Sequence, residues 1–290
     1  LGAGYDGGHG VNTLRDWQDL PMALDGVTLS HRMRPGEAPI LMVHGIGPGT
    51  TGRANFGPLL DRLAPRFALH LIDLAGFGDS GRKTRPPFFD VSFWVRQIEL
   101  VIGRVTELHA CAPLVIGNSV GAALVLKAAA SSPGVKQVLA IGAPAGPPAP
   151  PELRAFWRAP HDAASLADAM RPMTGAARAP DPALVQARMR AFLDSDYGQY
   201  FDAMLADPDS CLGAAALTKP EANGLRCSVT LLHGREDRAC PAAALLTGLL
   251  PMLPDADLIL FGACGHNVIS ERTADVIATI ERLSERIVLQ

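Results

Sequence analysis

Ser119, His266 and Asp237 have the side-chain types and surroundings needed for covalent acyl chemistry. Ser119 lies in Gly117-Asn118-Ser119-Val120-Gly121, between the apolar run 114–117 and the small-residue run 120–130. A serine at a strand-to-helix bend between two glycines fits a G-x-S-x-G elbow. Such a bend forces the serine backbone into a sparsely allowed conformation, and a side chain on either glycine would collide with its neighbours. The hydroxyl is thereby pushed outward, and the helix behind it offers free amides to a developing oxyanion. The competing reading is a serine that merely caps a helix.

His266 follows the apolar run 258–261 in Gly265-His266 and precedes the final helix, so its imidazole is placed to act as general base. Asp237 follows the run 229–233 within Gly234-Arg235-Glu236-Asp237-Arg238-Ala239-Cys240-Pro241. A carboxylate there can accept a hydrogen bond from the imidazole, fix its tautomer and stabilise the imidazolium. Chain order Ser, Asp, His suits this arrangement. Glu236 is the rival carboxylate, but it points away if Asp237 points in. His9, His31, His109 and His161 lack motif context, His70 reads as structural within a strand, and His233 as a packing or hydrogen-bonding residue. The loop His44-Gly45-Ile46-Gly47-Pro48-Gly49 follows the run 40–43, and the amides of Ile46 and Val120 are the expected oxyanion donors. This loop does not end in Lys followed by Ser or Thr, which argues against a nucleotide cradle. The turn 73–80 reads as a structural floor.

These residues need strands to present them. Runs 40–43, 69–73, 114–117, 138–142, 229–233 and 258–261 read as strands buried on both faces, with helices over 91–108, 120–130, 242–250 and 273–286. The alternation predicts an α/β fold with a mostly parallel central sheet flanked by helices, and residues 27–32 as an antiparallel edge strand. The rhythm stops after residue 142. Residues 144–226 read as a helical cap insertion, separating core segments 1–143 and 227–290, with helices over 163–171, 182–193 and 197–206. Phe156, Trp157, Met170, Met173, Met189, Phe192, Phe201 and Met204 belong to it, and their spacing suits a small satellite core. The insertion as a whole is expected over the strands' carboxyl ends or edges, and those ends are where open α/β sheets bind ligands.

The 290 residues are 48% hydrophobic, enough for a substantial core, and the net charge of −3 is dispersed. Neither nucleic acid nor a membrane surface is an expected partner. The five cysteines are scattered and odd in number, so no disulfide framework and no zinc or other metal site is expected, and a reducing cytoplasm fits best. No signal-peptide pattern is visible at the start, and the apolar stretch 113–126 is broken by Gly117, Asn118, Ser119 and Gly121, against a membrane span.

The combination H-G-x-G-P-G, G-N-S-x-G, G-R-E-D-R-x-x-P and C-G-H resembles the meta-cleavage product hydrolases, α/β-hydrolases that cut a carbon–carbon bond in ring-opened aromatic acids. The resemblance runs from about residue 40 to the C-terminus and is weakest in the cap. It implies a serine hydrolase with a Ser119–His266–Asp237 triad, no cofactor, a small-molecule substrate carrying a carboxylate, and room for a homo-oligomer. It further implies that Asn55 and Asn118 hold the dienolate end and that Arg188 pairs with the carboxylate. Arg188 has separate support, since it lies four residues from both Leu184 and Phe192 on one helical face, and an arginine there needs an anion or must snorkel. Asn267 stands where these hydrolases commonly have a cavity-lining tryptophan, and Val120-Gly121-Ala122 where they usually have Met-Gly-Gly. Both departures alter the pocket wall. A carboxylesterase is the alternative enzyme, and a non-catalytic ligand receptor on the same scaffold is the alternative class.

Overall fold

The computed structural model describes residues 16–145, 151–175, 179–194 and 196–288. His9, the N-terminal residues and part of the proline-rich stretch, 146–150, lie outside them. Short strands β1 (Gln18–Asp19), β2 (Met22–Leu24), β3 (Val27–Leu29) and β4 (His31–Arg34) lead into β5 (Ala38–Val43), helix α1 (Gly52–Leu63) and β6 (Phe67–Ile72). Then come α2 (Val91–His109), β7 (Leu114–Asn118), α3 (Val120–Ser131) and β8 (Gln137–Ile141). The main sheet has the order β1-β4-β6-β5-β7-β8, followed by β9 (Ser228–Gly234) and β10 (Asp257–Phe261). Pairing is parallel from β6 through β10, and antiparallel at the β4 edge. The expected edge strand over residues 27–32 is two pieces. β3 turns back on β2 as a hairpin, and β4 alone joins the sheet.

Apolar residues on alternate sides of each strand divide the core in two. Leu41, Val43 and Val115 face α2 and α3, where Phe93, Trp94, Ile98, Leu124 and Val125 pack. Ile40, Met42, Leu114 and Ile116 face α1 and the last helix, α11 (Thr273–Val288), with Phe56, Leu59, Val276 and Ile280. Sequence periodicity missed α1, whose start is fixed by Thr51 accepting a hydrogen bond from the Ala54 amide. His31, His70 and His109 form a row behind the sheet edge, each ring 2.9 Å from the next. Burial of His31 and His70 holds their pKa values down to about 4 and 3.

The chain leaves β5 for β6 on one side and returns to β7 on the other, so loops diverge at the carboxyl ends of β5 and β7 and leave a crevice there. Between β8 and β9 the described residues contain helices and no strand: α4 (Ala163–Met170), α5 (Pro182–Met189), α6 (Tyr197–Met204), α7 (Pro208–Ala215) and α8 (Lys219–Gly224). Their apolar residues do not form a satellite core. Phe156, Trp157, Met170, Met173, Phe201 and Met204 are continuous with the α2–α3 side of the main core. After β9, the segment 242–252 starts as the short α9 (Ala242–Ala244) and continues through a wider and then a tighter turn, and α10 (Val268–Glu271) precedes α11 (Thr273–Val288).

Candidate active site

β7 ends at Asn118 and α3 begins at Val120, leaving Ser119 alone at the bend with φ 56° and ψ −127°. A non-glycine residue at positive φ is strained, and the surroundings hold it there. The Ser119 amide donates to the Ile141 carbonyl (2.8 Å), and the Ser119 carbonyl accepts from the Ala122 amide (2.8 Å). A Cβ on Gly117 would fall 2.4 Å from the Gly121 carbonyl oxygen, and one on Gly121 would fall 2.4 Å from that of His44. The hydroxyl makes no capping bond to α3. Its oxygen stands 2.9 Å from Nε2 of His266 instead.

Nδ1 of the same ring lies 2.8 Å from Oδ2 of Asp237, whose Oδ1 accepts the Cys240 amide at 2.7 Å. Because an ionised carboxylate can only accept, Nδ1 carries the proton of the neutral ring and the bare Nε2 faces the serine. Ser119, His266 and Asp237 are all buried. Burial works against a charge on His266, yet the Asp237 carboxylate, aided by Cys240, outweighs it and raises the imidazole well above the ordinary histidine value. Glu236 is exposed beside it. His233 donates from Nε2 to the Cys240 carbonyl (2.7 Å), bracing the loop that carries Asp237.

The loop bearing His266 is held by the helical insertion. The His266 amide donates to the Met173 carbonyl (2.9 Å), and Oε2 of Glu271 accepts from the amides of both Gly265 and Gly175 (3.1 Å each). The glycine-rich loop after β5 is fixed differently. His44 accepts the Leu74 amide at Nε2 (2.9 Å), so its Nδ1–H donates to the Gly45 carbonyl (2.6 Å). Oδ1 of Asn55 accepts from the Gly45 amide (3.1 Å) and from Nδ2 of Asn118 (3.2 Å). Ile46 and Val120 each line a cavity that Ser119 also lines. Val120 opens α3, where amides have no acceptor within the helix.

The cavity on the Ile46 side is polar. Thr50, Asn55, Asn118, Arg188 and Asn267 line it with Ser119 and His266, and it adjoins a larger space of about 500 Å³ beneath α5. Arg188 is 8% exposed, and among the described residues its Nε and Nη1 have no hydrogen-bond partner, nor do Oγ1 of Thr50 and Oδ1 of Asn118. Burial lowers the Arg188 pKa to about 10, which still leaves it charged at neutral pH. A buried, unpartnered guanidinium is costly unless an anion joins it. On the Val120 side the cavity is apolar, lined by Trp157, Leu212, Ala239, Cys240 and Ala244, with Met173, Ser119 and His266 shared between the two. Of the candidate site residues, Ser119, His266, Ile46, Val120, Asn55, Asn118, Arg188 and Asn267 line these cavities, and Asp237 stands behind His266. Thr50, Cys240 and Glu271 were not among the candidates, although Thr50 directly follows the glycine loop and Cys240 lies three residues beyond Asp237, and Met173 was read only as a packing residue of the insertion.

The arrangement can transfer a proton from a hydroxyl to an imidazole beside two candidate amide donors, with an anion-seeking wall on one side and an apolar wall on the other. Known proteins share its frame. The chain is 27% identical to a 2-hydroxymuconate semialdehyde hydrolase of Pseudomonas sp. (strain CF600) over 79% of this chain and 80% of that one. It is 26% identical to a 2-hydroxy-6-oxo-2,4-heptadienoate hydrolase of Pseudomonas putida, covering 83% and 87% of the two chains. A solved meta-cleavage product hydrolase from Pseudomonas fluorescens IP01 superposes with a TM-score of 0.80 at 21% identity, over 92% of this chain and 97% of the other, and so shares the fold. No described helix is long and apolar enough to cross a membrane. The alpha/beta hydrolase family model matches residues 40–279, and with the sheet, crevice and strand-end loops described above, the chain belongs to that family.

Proposed function

We propose that this chain hydrolyses a carbon–carbon bond in a ring-opened aromatic acid of the 2-hydroxy-6-oxo-dienoate type, with Ser119 as nucleophile, His266 as base and Asp237 as its orienting carboxylate. The observation that carries this reading is Arg188, a buried charged guanidinium in the polar cavity beside Ser119 whose Nε and Nη1 have no partner among the described residues. A substrate carboxylate there would satisfy it, while Asn55 and Asn118 hold the adjoining enol oxygen. The oxo group would then reach Ser119, with its substituent in the apolar cavity. The names of the curated relatives describe substrates of this class.

In this reading His266 first assists ketonisation of the dienol, moving a proton from oxygen to carbon. Ser119 then gives its proton to Nε2 and attacks the oxo carbon, and the oxyanion is held by the amides of Ile46 and Val120. Collapse breaks the carbon–carbon bond, the departing dienolate takes the proton that His266 received from Ser119, and the acyl-serine left behind is cleaved by water with the again neutral His266 as base. We read residues 144–226 as the cap that closes the crevice and supplies Arg188 and the apolar wall.

A carboxylesterase is the second reading, favoured by the apolar cavity, which suits a simple acyl chain equally well. Supplying a ring-fission dienoate and a short-chain aryl ester in parallel separates the two. Preferential turnover of the dienoate, abolished by Arg188→Ala, supports carbon–carbon cleavage. Ester turnover alone, indifferent to Arg188→Ala, overturns it.

A further inference from the structure

Asp237, Cys240 and His266 come from two loops, yet each offers one ligand atom within 4.8 Å of the others. The Cys240 backbone is pinned on both sides, its amide to Asp237 and its carbonyl to His233, and the residue lines the apolar cavity with Ser119 and His266. The thiol is therefore held beside the base.

We propose that Asp237, Cys240 and His266 form an inhibitory site for a thiophilic divalent cation, zinc above all. Thiolate, imidazole and carboxylate are the ligand types zinc prefers, and bonds of about 2.0–2.3 Å place ligands of a tetrahedral ion roughly 3–4 Å apart. Small side-chain adjustments bring this trio to that spacing. A fourth, open position is left toward the apolar cavity for water. On binding, the ion replaces the Cys240 thiol proton, which passes to solvent, and takes the single lone pair of the neutral His266 ring. Whichever ring nitrogen binds, the remaining proton sits on the other, so no lone pair is left to accept the Ser119 proton. Softness sets selectivity: zinc and cadmium bind, whereas magnesium and calcium, which prefer all-oxygen shells, do not.

The consequence for activity rests on the serine reading above, but binding does not. The test titrates the metal-free chain with zinc, following fluorophosphonate labelling of Ser119, and with cadmium, following the near-ultraviolet thiolate-to-metal charge-transfer band. Zinc is expected to block labelling reversibly, with recovery on adding EDTA. Cys240→Val and Cys240→Ser should each raise the zinc needed for half-inhibition roughly a hundredfold or more, measured against each variant's own metal-free rate. Both should lose the cadmium band, and Cys111→Ser, an exposed thiol, should retain both responses. Survival of zinc sensitivity or of the cadmium band in both Cys240 variants overturns the proposal, as does an equal response to magnesium. Failure of Ser119 to label in metal-free protein would instead count against the serine reaction, leaving the cadmium arm to decide the metal site.

Discussion

The loops at the strand ends and the helices above them build opposite walls of one crevice by different means. Around Ser119 the core relies on backbone: amides and carbonyls of residues 117–122, 141 and 44–45 meet at distances that leave no space for a Cβ at Gly117 or Gly121. The insertion relies on side chains, among them Arg188 with unsatisfied donors, Trp157 and Met173. Backbone contacts leave the reacting groups little freedom, while side chains can be exchanged without disturbing the bend. Under the function proposed above, the contrast assigns reaction type to the core and substrate choice to the insertion.

The sharpest test of that division is Ser119→Ala, which should lower kcat by about 10⁴-fold or more on every substrate, with thermal unfolding little changed. Uniform loss, measured on a dienoate and an ester side by side, is the mark of a core residue. Next in size is Arg188→Met. Its kcat/KM for the carboxylate substrate should fall roughly 10²–10³-fold, as expected when a buried charge partner is removed, while a neutral ester keeps its rate within about threefold. The same variant should unfold at a higher temperature, because an unpaired buried charge has gone. A rate loss equal on both substrates would erase the proposed boundary.

A smaller effect comes from pH. His266 must be neutral to accept the Ser119 proton, and Asp237 raises its pKa, so kcat/KM should climb with pH along a limb centred above about 6.5. Below that limb the rate should drop about tenfold per pH unit, identically for acid and ester substrates. A limb centred below 6.5, or one that depends on substrate, would move the base out of the core. Smallest of all, Trp157→Ala should alter KM for substrates with bulky acyl groups several-fold and leave kcat for compact ones nearly unchanged, which a substituent series would reveal.

The same contrast decided what could be read from the chain. Buried parallel strands are short β-branched and leucine-rich runs, so β5, β7 and β9 stood out, and glycines forced by close backbone approach marked the bend and the oxyanion loop. Strand-end placement then singled out His266 and Asp237. Helix α1 was missed because glycine, proline and asparagine interrupt its apolar spacing, and the edge split at Ser30 because a hairpin and a sheet strand share one alternating pattern. In the insertion, apolar periodicity gave helices but not their depth, so residues such as Phe201 and Met204 looked like a separate cluster when they extend the main one. Arg188 was legible since a cation on an apolar face is anomalous. Thr50 and Cys240 were not, because a hydroxyl or thiol on a loop carries no periodic signal and its neighbours come from distant segments.

Glu271 has the widest consequence. One carboxylate oxygen grips an amide from the roof, at Gly175, and another from the perch of the imidazole, at Gly265. Any displacement of the roof along that seam would therefore be felt directly at the imidazole's alignment with its serine.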